Sequence, residues 1–218
     1  MLTISLLKVD IPELLSISGE EFLRVLNAID SSRSKTAAGM NKNPKGRAAC
    51  IGAGLLIQRA MRDYPGCRKR EYSLDELISP EGKAVDFKYR FGEQGKPYFA
   101  DTSLPFFNIS HAGGYVALAL SDREVGIDIQ NKRNNRETDM AERFFSEKES
   151  KAVKEDSERK VFYRLWARKE ALGKCTGEGV RPYLDTDVSD LHAPHLSGYE
   201  WFEEVVGDDI YLCVCIKK

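Results

Sequence analysis

The feature that most narrows what this chain can fold into is the segment 161–179, VFYRLWARKEALGKCTGEG. Trp166, Glu170 and Lys174 recur at every fourth position, so a helix lines them along one face with Lys169 beside them. That face presents one carboxylate flanked by two ammonium groups. Ordinary i, i+4 Glu–Lys support on a solvated helix has the same composition. A centre that holds a metal ion against a phosphate also needs both signs of charge within a few ångströms.

Upstream, residues 115–120 (YVALAL) and 125–130 (VGIDIQ) are two short strand-like runs joined by Ser121, Asp122, Arg123 and Glu124. This spacing predicts a β-hairpin with a four-residue loop. In the second strand Val125, Ile127 and Ile129 point one way, and Gly126, Asp128 and Gln130 the other. Asp128 and Gln130 thus offer two oxygen ligands on one face, and Gly126 leaves space beside them. A hairpin with a solvated polar face has the same pattern.

Before these runs stand Gly95-Lys96-Pro97 and Phe107-Asn108-Ile109-Ser110-His111. The four pieces, in this order, resemble the 4′-phosphopantetheinyl transferases, specifically the broad-specificity Sfp-type branch. That family is marked by a Gly-Lys-Pro segment, a Phe-Asn-x-Ser-His segment, a Gly-x-Asp-x-Glu strand and a Trp-x-x-Lys-Glu-x-x-x-Lys helix. The third reads Gly126-Ile127-Asp128-Ile129-Gln130 here, and the fourth runs from Trp166 to Lys174. The resemblance covers about residues 90–180 firmly and the first 90 residues loosely.

The resemblance implies an α+β fold of two pseudo-symmetric halves with the active site in the cleft between them. The junction is expected near residues 103–107, giving an N-terminal half of 1–106 and a C-terminal half of 107–218. It also implies a reaction. A serine hydroxyl of an apo acyl-carrier or peptidyl-carrier protein attacks the β-phosphorus of coenzyme A, and adenosine 3′,5′-bisphosphate leaves. Such chemistry asks mainly for positioning and charge stabilisation.

Carried onto this chain, the family pattern gives Asp128, Gln130 and Glu170 as Mg²⁺ ligands and Asp128, Glu170 and Lys174 as the catalytic set. Coenzyme A contacts fall to Arg47, Lys96, Pro97, Ser110, His111 and Lys174. Arg47 would meet the 3′-phosphate, with Arg33, Lys35, Lys42 or Lys45 assisting; Lys96 and Pro97 would line the adenine pocket largely through backbone groups. Ser110 and His111, on a turn leading into the hairpin, would donate hydrogen bonds to the phosphates. Either Glu170 or a metal-bound water acts as general base. Gln130 departs from the usual Glu, which removes one negative charge and predicts weaker Mg²⁺ affinity. Two other readings keep part of the pattern: a catalytically weakened coenzyme A- or carrier-binding module, and an unrelated Mg²⁺-dependent phosphohydrolase.

The rest of the chain supplies bounds. With 218 residues, 42% of them hydrophobic, it can bury a sizeable core as one large domain or two small ones. A formal net charge of −1 argues against general nucleic-acid binding. No apolar run approaches the ~20 residues that span a bilayer. Residues 1–8 lack the basic flank and cleavage site of a secretory leader, so a cytoplasmic protein is expected. The five cysteines (Cys50, Cys67, Cys175, Cys213 and Cys215) are expected to be buried reduced thiols.

A strand is predicted over 2–9, a helix over 20–29 capped by Ser18, and a last strand over 210–216. Residues 31–62 hold seven basic side chains and no acidic one, read either as a solvated basic loop or as an anion site, running into a helix that Asn43 and Pro44 start and that ends near 64. Residues 65–90 show no clear pattern. Ser146 and Glu149 form a capping box. Gly173, costly inside a helix, allows close approach of substrate or backbone, or is an unselected surface glycine. His192 and His195 fall in a surface loop. A carrier would dock near the cleft, on Phe144-Phe145 or on Lys132, Arg133 and Arg136, with Phe144 and Phe145 as core the competing reading. A monomer is expected.

Overall fold

The computed structural model describes residues 1–65, 69–78, 84–132, 136–207 and 209–218. Strand β1 (Leu2–Lys8) is flanked by the parallel strand β2 (Lys69–Tyr72) on one side. On its other side runs antiparallel β6 (Tyr115–Ser121), which in turn pairs with β5 (Phe106–Ala112). The apolar run of β6 is what a central strand buried on both faces requires. Its Val116, Leu118 and Leu120 join Leu7, Phe107, Ile51 and Leu55 in one core. That core covers the sheet with α4 (Pro44–Asp63) and the helices α1 (Pro12–Leu15), α2 (Gly19–Asn27) and α3 (Ser31–Gly39).

The opposite face of the sheet is lined by Ile4, Leu6, Ala117 and Ala119. It packs against a second sheet ordered β7 (Val125–Asn131), β9 (Ile210–Lys217), β8 (Tyr199–Val206). Val125, Ile127, Ile129, Leu212, Val214 and Ile216 fill this inter-sheet core, and the two alanines let the sheets close on one another. The alternate residues of β9, Tyr211, Cys213 and Cys215, face a third core built by α8 (Lys160–Thr176), α6 (Glu137–Phe144) and α7 (Glu147–Glu155). The result is four layers, helices–sheet–sheet–helices, an α+β architecture.

Local signals explain most element starts. The Asn43 side chain accepts from Gly46 N at 2.9 Å, and Pro44 opens α4. The Ser146–Glu149 capping box opens α7 as expected. Ser18 stands at the N-cap of α2 but makes no side-chain cap bond. Residues 31–39, read as loop, form α3, because the Asp30 carboxylate accepts from Arg33 N at 3.1 Å. Within 65–90 the chain holds β2, the capped helix α5 (Leu74–Leu77) and β3 (Tyr89–Phe91), which pairs with β4 (Pro97–Phe99).

The expected hairpin is not formed. Both edges of β6 are taken, by β1 and β5, and β7 pairs instead with β9, Asp128 opposite Cys213. The link between β6 and β7 therefore turns a corner from one sheet to the other. Ser110 and His111 likewise lie within β5, not on a turn. The space at Gly126 is filled as well: a Cβ there would lie 2.1 Å from Ala171 O and 2.3 Å from Cys175 N, so the glycine admits the backbone of α8 onto β7. Gly173 is resolved the same way, since a Cβ would meet Gly179 C and O at 2.4 Å.

Cys175, Cys213 and Cys215 are buried and Cys50 is half-buried, all as free thiols; Cys67 and Arg133 lie outside the described residues. His192 and His195 are exposed, as expected. Among the described residues no helix is long and apolar enough to cross a membrane.

Both close approaches predict a sign. Helix propensity alone makes Gly173→Ala stabilising by about 1 kcal/mol. Contact with backbone makes it destabilising by about 1–3 kcal/mol, as for overpacked cores, and Gly126→Ala at least as costly. Urea unfolding of the two variants measures which holds.

Candidate functional site

The site begins at a seam. The outer edge of β7 runs beside β5, which belongs to the other sheet, and side chains join them. Asn108 Oδ1 accepts from Ile127 N at 3.0 Å, and Ser110 Oγ accepts from Ile129 N at 3.3 Å. These two bonds satisfy buried edge donors that a ladder would otherwise meet. Between them, on β7, stands Asp128, 2% exposed.

Asp128 takes three side-chain hydrogen bonds. Its Oδ1 accepts from Ser110 Oγ at 2.7 Å and from Lys174 Nζ at 2.6 Å; its Oδ2 accepts from Gln130 Nε2 at 2.7 Å. Lys174 also donates to Ser110 Oγ at 3.1 Å and to Ile127 O at 3.2 Å. The Ser110 hydroxyl is thereby saturated, one proton given and two bonds accepted. Its proton reaches a ligand's phosphate only by leaving Asp128.

Glu170, one turn before Lys174 on α8, completes the cluster. Burial pushes its carboxyl above the ordinary range, Asp128 adds to the shift, and Lys174 opposes it. Two carboxylates therefore face a single ammonium, and Gln130 contributes an amide without charge. Two carboxylates and an amide are the donor types that Mg²⁺ takes, although among the described residues no group of three His, Cys, Asp or Glu side chains is gathered as a metal cluster.

Lys169 does not flank Glu170. Its ammonium turns to the other side of α8, where it pairs with Glu149 at 2.7 Å, both side chains fully buried. It also donates to Thr186 O and stands 4.7 Å from the centre of the Phe145 ring. Glu149 spends its other oxygen on Val188 N at 2.8 Å. Sequence reading gave Glu149 only its capping role; no spacing rule links it to Lys169 across separate helices. Trp166 stacks on Phe145 and Phe162, with centroids 6.0 and 5.7 Å away. Phe145 is thus core, while Phe144 is half-buried with Arg143 over its ring.

The remaining candidates scatter. His111 follows Ser110 and lines a cavity of about 640 Å³ with Lys45, Asp10, Tyr115 and Asn131. Lys35 and Lys42 are exposed on and beyond α3, and Arg33 lies 3.7 Å from Asp30. Arg47 donates through Nη2 to Leu15 O at 3.3 Å and Ile17 O at 3.2 Å and stacks over Phe22, pinning the α1–α2 link to α4. Pro97 opens β4, and the Lys96 side chain is buried against Glu124 and the end of α8. Asn108 is the site residue that sequence reading left without a role, although its motif position was visible.

The raised Glu170 carboxyl makes a stability prediction for the metal-free protein. Between its ordinary and its raised pKa the folded state binds more protons than the unfolded state, so stability falls as pH rises through that window. Glu170→Gln removes the ionisable group. Thermal melts are expected to show this variant more stable than the parent at neutral pH, the gap closing towards acid pH.

A sequence profile described as the 4′-phosphopantetheinyl transferase superfamily matches residues 124–213, which include β7 and α8. The 4′-phosphopantetheinyl transferase Sfp of Bacillus subtilis (strain 168) is 35% identical over 126 residues, 56% of this chain and 52% of Sfp. A 4′-phosphopantetheinyl transferase AcpT of Escherichia coli (strain K12) is 44% identical over 119 residues, 52% of this chain and 58% of that protein. The AcpT of Salmonella typhimurium (strain LT2) is 32% identical over 149 residues, 65% of this chain and 77% of its own length. The match thus spans about half the length of Sfp but most of the Salmonella protein. On the seam, the charge cluster and these likenesses together, the chain belongs to the 4′-phosphopantetheinyl transferase superfamily.

Proposed function

We propose that this protein moves phosphopantetheine from coenzyme A to a serine of an apo acyl-carrier or peptidyl-carrier protein, as a holo-[acyl-carrier-protein] synthase type of transferase. One observation carries the reading: Ser110, Asp128, Gln130 and Lys174, from β5, β7 and α8, converge through bonds of 2.6–3.1 Å, with Glu170 beside them. The relatives named phosphopantetheinyl transferases support the reaction class.

In this reading the serine oxygen bonds to the β-phosphorus, the bond from that phosphorus to the bridging oxygen breaks, and adenosine 3′,5′-bisphosphate leaves with the electron pair. Mg²⁺, held by Asp128, Gln130 and Glu170, would supply positive charge against the pyrophosphate. Lys174 offsets charge on the departing oxygen. Either Glu170 or a metal-bound water takes the proton of the serine hydroxyl, since Asp128 already takes three hydrogen bonds. His111 and Lys45, on the cavity of about 640 Å³, fit phosphate contacts, and backbone at Lys96 and Pro97 the adenine.

The division of labour is between residues 1–106, with coenzyme contacts from Arg47, Lys96 and Pro97, and residues 107–218, with the Mg²⁺-binding strand and α8. It is a division of function across shared sheets, since β5 and β6 complete the sheet of β1. The free thiols Cys50, Cys175, Cys213 and Cys215 support a cytoplasmic setting, and we propose a monomer.

Incubation with coenzyme A, Mg²⁺ and a panel of apo carriers, read by intact-mass spectrometry, is expected to add one phosphopantetheine to a carrier. Asp128→Ala and Glu170→Ala are expected to abolish the gain. Retained coenzyme A binding without transfer to any carrier would instead favour the binding-module reading.

A second prediction concerns Gln130. A carboxylate there would oppose Asp128, which now accepts the Gln130 amide. Gln130→Glu is expected to lower the melting temperature without metal and to lower the Mg²⁺ concentration for half-maximal transfer. Unchanged Mg²⁺ dependence would remove Gln130 from the metal site.

A further inference from the structure

Lys96 sits where family likeness expects a coenzyme contact, yet its side chain is only 4% exposed. Its ammonium donates to Glu124 Oε2 at 2.6 Å and to Cys175 O at 2.9 Å, and lies 5.1 Å from the centre of the Tyr98 ring. Cys175 belongs to the last turn of α8, immediately after Lys174, and Glu124 immediately precedes β7. Tyr98 and Lys96 also crowd Gly177, the αL residue that ends α8: a Cβ there would lie 3.3 Å from Tyr98 Oη and 3.7 Å from Lys96 Cδ.

The last carbonyls of a helix lack intrahelical donors, and a cation at that end is favoured by the helix dipole. Lys96 meets both needs at once, and Glu124 neutralises it in a nearly closed site. We infer that Lys96 is a positioning residue whose ammonium, fixed by Glu124, clamps the C-terminal turn of α8 and so holds Lys174 on Asp128 and Ser110. Lys96 thereby acts on Lys174 through the helix, and its own ammonium does not touch coenzyme A. The inference deepens the proposed transferase reading and rests on it only for its kinetic arm.

Two measurements on the full chain test it. Hydrogen exchange of residues 172–176 reads the clamp without any activity. Lys96→Met is expected to speed exchange there by about tenfold or more, and Glu124→Gln to move it in the same direction. Steady-state transfer is expected to show kcat reduced about tenfold with the KM for coenzyme A within about threefold of the parent. The Lys96→Met/Glu124→Gln double variant should be no worse than Lys96→Met, because the two residues act as one unit.

Unchanged exchange would overturn the clamp. A rise in KM at constant kcat would overturn it too and make the ammonium a coenzyme ligand. If the parent transfers nothing, the transferase reading fails while the exchange arm still decides the clamp. If Lys96→Met does not fold by circular dichroism, Glu124→Gln carries the exchange test, and unchanged exchange in it overturns the proposal.

Discussion

Everything in the site depends on how β7 disposes of its outer edge. That edge meets a strand of a different sheet, and the Ile127 and Ile129 N–H groups are buried there. Asn108 and Ser110 reach across to accept them. Once they do, Ser110 Oγ is fixed beside Asp128, and the same hydroxyl has one lone pair left for Lys174. A structural repair and a charge cluster thus share atoms. Buried backbone donors left unmet would cost about 1–3 kcal/mol each, so the seam and the site stand or fall together.

Helix α8 has two electrostatic faces. On one, Lys169 and Glu149 neutralise each other completely inside the protein, with Thr186 O and Val188 N taking the remaining contacts. Removing either partner would strand a buried charge, a far larger penalty than the pair's net contribution. On the other face Asp128 and Glu170 outnumber Lys174, and burial, with Asp128 adding to it, raises the Glu170 carboxyl. The closed face fixes the helix; the open face keeps an imbalance that a cation can settle. Gly126 and Gly173 add contact of backbone on backbone, which leaves α8 little freedom to slide along β7 or to shed the loop after it.

What could be read from the residues was local or periodic. The alternation of β7 put Asp128 and Gln130 on one face, and spacing by four aligned Trp166, Glu170 and Lys174; both survive in the fold. Capping chemistry at Asn43, Ser146 and Glu149 was legible for the same reason. Pairing partners were not. Residues 115–131 look like a hairpin because nothing in two adjacent strands tells that β1 and β9 will claim their edges. Lys169 is a neighbouring residue of Glu170 and so about 100° away around the helix. Which side it turns to is decided by Glu149, twenty residues earlier, and not by spacing. Asp30 could have announced α3, since an acidic N-cap stands directly before a run of small residues; its pull was hidden by the basic block that follows.

The pairing of β1 with β6 sets an order of assembly. Leu2 lies opposite Ser121 and Lys8 opposite Tyr115, so the first strand finds its antiparallel neighbour only after more than a hundred further residues exist. Contacts this distant in sequence must meet the entropy of closing a long loop before they return any stabilisation. During synthesis the α1–α4 layer can gather on its own apolar faces, yet the sheet beneath it waits for β5 and β6. The second sheet waits longer still, for β9 at the far end of the chain. The charge cluster at β7 is therefore among the last things this chain assembles, and a nascent or truncated copy would hold Asp128 without Lys174 to answer it.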